Sequence, residues 1–234
     1  MALVLSTRES KAIELKKRAD AGDADAQYDF ALYLLTEDDE TPRKDISYTE
    51  VKWAMDYLSL AAAQGYRYGW AAAALGDLYD SGELIPQDYE KARLWYNTAL
   101  LLENPGASRK LGEYAHNGIN CEIDYEQAAW LYAQSLCECY VDAFINLGGM
   151  YMRGEYFPQD IEFAKSLFEF VHEYEKDRMD MFDIKSPLYE IALSALDELG
   201  QVSKARSNER EENELQKSVR KQLLDIMNEG GKHE

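Results

Sequence analysis

Three histidines, three cysteines and 44 carboxylates are the side chains with which this 234-residue chain could do acid–base, thiol or metal chemistry. Their spacing argues against each. Cys121, Cys137 and Cys139 are odd in number and clustered, which is neither a disulfide framework nor C-x-x-C. With only His116, His172 and His233 to add, no Cys/His zinc set assembles, and the cysteines are expected to pack in a reducing compartment. The run Glu37-Asp38-Asp39-Glu40 has the charge for a divalent cation, but not the alternating ligands and glycine of a Ca²⁺ loop. It is expected to be a solvated loop. No phosphate-cradling glycine loop, nucleophile elbow or His-Glu-x-x-His motif is present. His116 precedes Asn117-Gly118 and His172 follows Val171, both at expected helix ends, where an imidazolium would meet the helix dipole. Neither cofactor nor metal is expected.

The positions that do recur are structural. Leu75-Gly76, Leu111-Gly112 and Leu147-Gly148 are spaced by 36 residues. Gly82, Gly118 and Gly154 keep that period, as do Asp88, Asp124 and Asp160, Ala92, Ala128 and Ala164, and the aromatics Tyr96, Tyr132 and Phe168. An earlier, looser copy begins at Gly22, with Phe30-Ala31 at the Leu-Gly position and an acidic insertion between Thr36 and Asp45. Within a copy, Trp70 to Ser81 has helical spacing and ends at Gly82, a residue suited to a left-handed C′ position. Asp88 then N-caps a second helix with the face Tyr89, Ala92, Trp95, Tyr96 and Ala99. Pro86 and Pro158 stand two residues before such caps. Glycine inside a helix costs about 1 kcal/mol relative to alanine, so Gly76, Gly112 and Gly148 predict an aromatic ring lying against each.

A helix pair of this length cannot bury its own apolar face, and stacking supplies the core. The fold class is therefore all-α: a solenoid of antiparallel helix pairs with helical caps at both ends, eleven helices in all and no strand. Residues 1–21 supply an N-terminal capping helix over Thr7 to Asp20, opened by Ser6-Thr-Arg-Glu9. Residues 22–174 hold four repeats, 22–65, 66–103, 104–139 and 140–174. Residues 175–234 hold a degenerate repeat and a long C-terminal capping helix. There Glu173 to Ser186 interrupts the array, Pro187 to Leu199 forms a first helix, and Ser203 to Asn228 forms the final one. Its stripe Leu215, Val219, Leu223 and Ile226 suits either closing the last repeat or pairing with another chain.

The segments Gly22-Asp-Ala-Asp-Ala-Gln-Tyr28, Leu75-Gly-Asp-Leu-Tyr79 and Gly82-Glu-Leu-Ile-Pro-Gln-Asp-Tyr-Glu-Lys-Ala-Arg-Leu-Trp-Tyr96 resemble Sel1-like repeats, relatives of the tetratricopeptide repeat. The resemblance spans residues 19–172. It implies a right-handed superhelix and a protein-binding adaptor, without one substrate. The third copy departs from it with Asn-Cys-Glu-Ile in place of the Pro-Gln loop, and the first lacks the glycine after its first helix. The cysteine pairing of the penicillin-linked members is missing, so that activity does not carry over.

A formal charge of −19 argues against direct phosphate-backbone binding and disfavours an anionic membrane, and no apolar run approaches the ~20 residues needed to span a bilayer. The N-terminus has only four apolar residues after Met1 and no basic region, so a secretory leader is not expected. These points and the resemblance predict a cytoplasmic bacterial protein that is not an enzyme. Its partner would be a protein or peptide, basic by charge complementarity, with no nucleic acid and no membrane. The first helices should line a concave groove, exposing Asp29, Tyr33, Trp70, Asp77, Ser81, Lys110, Glu113, Asn117, Asn146 and Arg153. Trp70 has the strongest competing claim to the core. Tyr79, Tyr89, Tyr96, Tyr125, Tyr132 and Tyr151 are expected in the core, with Tyr28, Tyr33, Tyr66, Tyr68 and Tyr140 between repeats or at a binding surface. A scaffold or adaptor is the leading reading. An acidic inhibitor or immunity protein blocking one basic partner is the alternative, and a hydrolase the least supported third.

Overall fold

The structure, a computed structural model, describes residues 7–36, 43, 45–65, 69–136, 141–182, 186–201 and 212–230. Among them eleven helices and no strand ladder are found. The chain divides into two compact units, Met1–Ala107 and Ser108–Glu234.

Unit 1 holds α1 (Thr7–Asp20), α2 (Ala24–Leu35), α3 (Tyr48–Ala62), α4 (Gly69–Ser81), α5 (Tyr89–Leu101) and the start of α6 (Pro105–Asn117). Several of these helices begin where the sequence supplies acceptors for the free N–H groups. Asp23 accepts from Ala26 N–H and Asp88 from Lys91 N–H. Ser47 and Glu50 form a reciprocal capping box at the start of α3. The Ser6 cap expected for α1 lies outside the described residues, as does the acidic run 37–40. The core is an alanine and leucine stack, with Ala31, Ala54, Leu58, Ala71, Ala72 and Ala92 all fully buried.

Unit 2 holds the rest of α6, then α7 (Tyr125–Ser135), α8 (Val141–Arg153), α9 (Ile161–Phe182), α10 (Pro187–Gln201) and α11 (Glu214–Gly230). Asp124 caps α7 through Gln127 N–H, and Asp160 accepts from Phe163 N–H at the start of α9. The core is more aromatic, with Tyr132, Phe144, Tyr151, Phe157, Phe163 and Phe168 buried in one cluster.

The period-setting glycines do what their cost demands. A β-carbon on Gly76 would come 2.5 Å from the Tyr96 ring, one on Gly112 2.7 Å from Tyr132, and one on Gly148 2.8 Å from Phe168. These rings are themselves buried, so helix pairs close at a distance only glycine permits. Gly82, Gly118 and Gly154 end their helices at φ of +70°, +68° and +71°, the left-handed region that an L side chain resists.

Several expectations are corrected. The segment from Glu173, read as an interruption of the array, is helical as far as Phe182, where α9 ends, with Glu175 almost fully buried and its carboxylate held by Arg178 at 2.9 Å. His172 is consequently interior to a helix, stacked on Tyr189 with ring centroids 4.5 Å apart, not at a helix end. The final helix begins at Glu214, not Ser203. Asn213 and Gln216 cap it reciprocally, each backbone N–H donating to the other's side chain, and residues 203–211 lie outside the described set. Tyr89 is exposed, Tyr79 and Tyr125 are half-buried, and Tyr96, Tyr132 and Tyr151 form the core as expected.

The α11 stripe closes on the chain itself. Val219 and Leu223 are buried in the unit 2 core, with Leu215 and Ile226 packed beside them. The helix lies against α7 and the α8–α9 loop. Gln222 donates to the Ala133 carbonyl, and Gln216 donates to the Tyr156 carbonyl.

Candidate functional site

The first helices carry the candidate binding residues, and the two units treat charge differently. In unit 1, α2 exposes Asp29 and leaves Tyr33 half-buried, its ring stacked on Phe30 at 6.1 Å. On α4, Trp70 stays on the surface, 49% exposed, and Asp77 and Ser81 are exposed as well. Trp70 therefore does not join the core. Ser81 turns back on its own helix end, its hydroxyl 3.4 Å from the Leu78 carbonyl.

Asp77 accepts a 2.7 Å hydrogen bond from the Tyr96 hydroxyl. Asp77 thus stands at the head of the ring that packs on Gly76. The phenol of Tyr28, raised first by burial, is raised further by the carboxylates of Asp29 and Asp77, so α2 and α4 bring these three side chains into one electrostatic neighbourhood. Partial desolvation by its neighbours also raises Asp29, with Asp25 adding to the effect against Lys11 and Arg18. Among the described residues no cation forms an ion pair with Asp29 or Asp77.

In unit 2 the corresponding charges satisfy one another. Arg109 on α6 pairs with Glu113 one turn on and lies 3.3 Å from Asp142 of α8. Lys110 lies 4.0 Å from Glu113. His116 at the end of α6 contacts Glu155 at 2.9 Å, Arg153 at 3.3 Å and the Tyr132 hydroxyl at 3.4 Å. Glu155 is pushed up by burial, yet the guanidinium of Arg153 and then His116 hold its carboxyl below the ordinary range. His116 is thus tied into an inter-helix polar network around the Arg153–Glu155 pair, a role that its position in one helix did not reveal. Asn117 bonds to the Glu113 carbonyl of its own helix, and Asn146 is half-buried on α8.

Sequence reasoning put Tyr28 between repeats or at a binding surface without placing it beside Asp29 and Asp77, and it missed Glu155 and Asp142 as the groups that neutralise Arg153 and Arg109. Asp142 follows α6 by most of a repeat, so only stacking brings them together. Cys121 is exposed, and Cys137 and Cys139 lie outside the described residues, as do Tyr66, Tyr68 and Tyr140.

The repeat geometry has a counterpart among known sequences. The Sel1 repeat model matches residues 24–66, 71–104, 105–137 and 142–170, more than half of the chain. The chain belongs to the Sel1 repeat family. Its fold is an all-α solenoid. A Sel1 repeat protein from Oxalobacter formigenes is 19% identical, with 96% of this chain and 80% of that chain covered and a TM-score of 0.58. A putative sel1 repeat protein from Klebsiella pneumoniae subsp. pneumoniae is 20% identical, with 93% and 99% covered and a TM-score of 0.51. These similarities show the fold. No curated protein matches the sequence. Sel1 repeat proteins are in general scaffolds for protein–protein interaction, and the family is a non-catalytic one.

Proposed function

We propose that this Sel1 repeat protein is a non-catalytic cytoplasmic scaffold, bacterial in origin, whose first-helix face in unit 1 holds a basic segment of a partner protein. The observation that carries the reading is the pair Asp29 and Asp77. Two carboxylates on first helices share a neighbourhood with Tyr28, without an ion pair to either among the described residues. A partner lysine or arginine would supply the missing charge, and Tyr28, Tyr33 and Trp70 offer rings for its stem or guanidinium. The unit 2 face, with Arg109, Arg153 and His116 already paired, is suited to hydrogen-bonded positioning. The net charge of −19 speeds encounter with such a partner and makes it salt-sensitive.

The same charge supports a second reading, an inhibitor of a single basic protein. Affinity capture from the source cell's lysate at low and moderate salt, with wild type beside Asp29→Lys/Asp77→Lys, addresses both. Basic partners retained by wild type and lost by the variant are expected. A single partner held through moderate salt favours the inhibitor. Equal capture by both forms removes the unit 1 face from the account.

A further inference from the structure

The helix that closes unit 2 is held as a ligand would be held. α11 lies beyond the last matched repeat, which ends at residue 170. Its first turn is fixed by its own reciprocal Asn213–Gln216 cap. Leu215, Val219, Leu223 and Ile226 form one stripe against the unit 2 core, the spacing of a helix laid in a groove. The other side, with Glu214, Lys217, Lys221 and Asp225, is exposed.

The receiving surface is built to recognise such a helix. Arg220 lies over the Phe163 ring at 4.1 Å and pairs with Asp160 at 2.8 Å. Gln222 donates to the Ala133 carbonyl at 3.1 Å. Tyr156 stands at φ +60°, where the repeat before it places Asn120 at +53°. Asparagine tolerates this left-handed backbone better than tyrosine does. Tyrosine at this place reaches α11: its hydroxyl accepts from the Asn213 amide at 3.0 Å, and its carbonyl accepts from Gln216.

Two features make α11 a replaceable occupant. The Tyr151 hydroxyl is buried without a hydrogen-bond partner among the described residues, and the charges of Glu212 and Arg220 reach its phenol from the α11 side. An unpaired buried hydroxyl works against closure, and opening lets water reach it. On the exposed side of α11, Glu214 and Asp225 offset Lys217 and Lys221, so that side gains little from a chain of net charge −19. A helix with the same stripe and arginine, but with lysines in place of those acids, gains from it. α11 of a second copy brings no such gain and adds a second chain of −19.

We propose that the surface formed by α7, the α8–α9 loop and the first turn of α9 docks a cationic amphipathic helix of a partner protein, and that α11 is the resident occupant which this helix displaces. The surface lies within unit 2, apart from the Asp29 and Asp77 face of unit 1, so each can fail alone.

The probe is a fluorescent peptide of residues 212–230 carrying Glu214→Lys and Asp225→Lys, titrated into the full chain by anisotropy at low salt beside the native peptide. The lysine peptide is expected to bind about tenfold more tightly than the native one. Arg220→Ala should act in opposite directions: about tenfold weaker binding when placed in the peptide, and about tenfold tighter when placed in the chain, where it loosens the resident helix. Gln222→Ala in the chain should tighten binding as well. Amide exchange should show residues 214–230 of the chain losing protection as the peptide binds. No binding to the Arg220→Ala and Gln222→Ala chains, the same effect of Arg220→Ala in either place, or protection of 214–230 unchanged by the peptide overturns the proposal. Preference for the native peptide, or dimers of the Arg220→Ala chain in sedimentation in place of peptide binding, assigns the surface to a second copy and overturns it too.

Discussion

The ring of Tyr96 lies across Gly76 so closely that a β-carbon at Gly76 would stand 2.5 Å from it. The Tyr96 hydroxyl then reaches Asp77, the next residue along α4. One contact therefore sets the spacing of a helix pair and orients a carboxylate on the proposed binding face.

Gly76→Ala is expected to lower stability by about 1–3 kcal/mol, because overpacking against a fully buried ring outweighs the helix-propensity gain of about 1 kcal/mol. Thermal melting checks it. In a Tyr96→Ala background the same change should become neutral or stabilising, since the clash is gone.

Two buried tyrosines should respond oppositely to losing a hydroxyl. Tyr96→Phe removes the donor to Asp77 and should cost about 1 kcal/mol. The Tyr151 hydroxyl is buried without a partner among the described residues, and burial pushes its phenol well up. Tyr151→Phe should be neutral or mildly stabilising in denaturant titrations.

Glu50 is held down to about 2 from the ordinary glutamate value of 4.5, first by the Ser47 hydroxyl, then by the Ser47 backbone N–H, with Arg43 adding to both. Between those values the unfolded chain binds more protons than the folded one. The contribution is thus complete above pH 4.5 and is lost as pH falls towards 2. Glu50→Gln should flatten the pH dependence of unfolding in that window and leave a loss of about 1 kcal/mol at neutral pH. Chemical denaturation at a series of pH values from strongly acidic to neutral measures both.

Arg220 anchors α11 through a ring and two carboxylates, Asp160 at 2.8 Å and Glu212 at 3.2 Å. Arg220→Lys should fail to restore what Arg220→Ala loses, because an ammonium cannot stack and fork at once. A loss of about 1–3 kcal/mol is expected, with faster amide exchange across residues 214–230.

The repeat was legible because glycine, aromatic and aspartate recur at fixed spacing, and each serves a local purpose. Glycine allows close approach, the aromatic ring covers it, and aspartate caps the next helix. The helix bounds of α1 and the glycine–aromatic contacts followed directly. The extent of α9 was not legible, because Glu173 to Lys176 carries charge on a helix whose buried Glu175 is compensated by Arg178 one turn later. The start of α11 had a signal, Asn213-Glu-Leu-Gln216, which spells a capping box inside a charged stretch that otherwise reads as continuous helix. The docking place of α11 depends on contacts between residues far apart in the chain, such as Gln222 with Ala133, and no period announces those.

The claim that the unit 1 first-helix face holds a partner is tested most directly by site-specific photo-crosslinking. A benzophenone amino acid would replace Tyr33 or Trp70 on that face, and Leu94 or Leu101 on α5 for comparison. Adducts with a protein rich in lysine or arginine at the crosslinked segment, formed from positions 33 and 70 and lost on Asp29→Lys/Asp77→Lys, are the predicted result. Adducts from positions 94 and 101 alone, or adducts from 33 and 70 that survive the charge reversal, would contradict it.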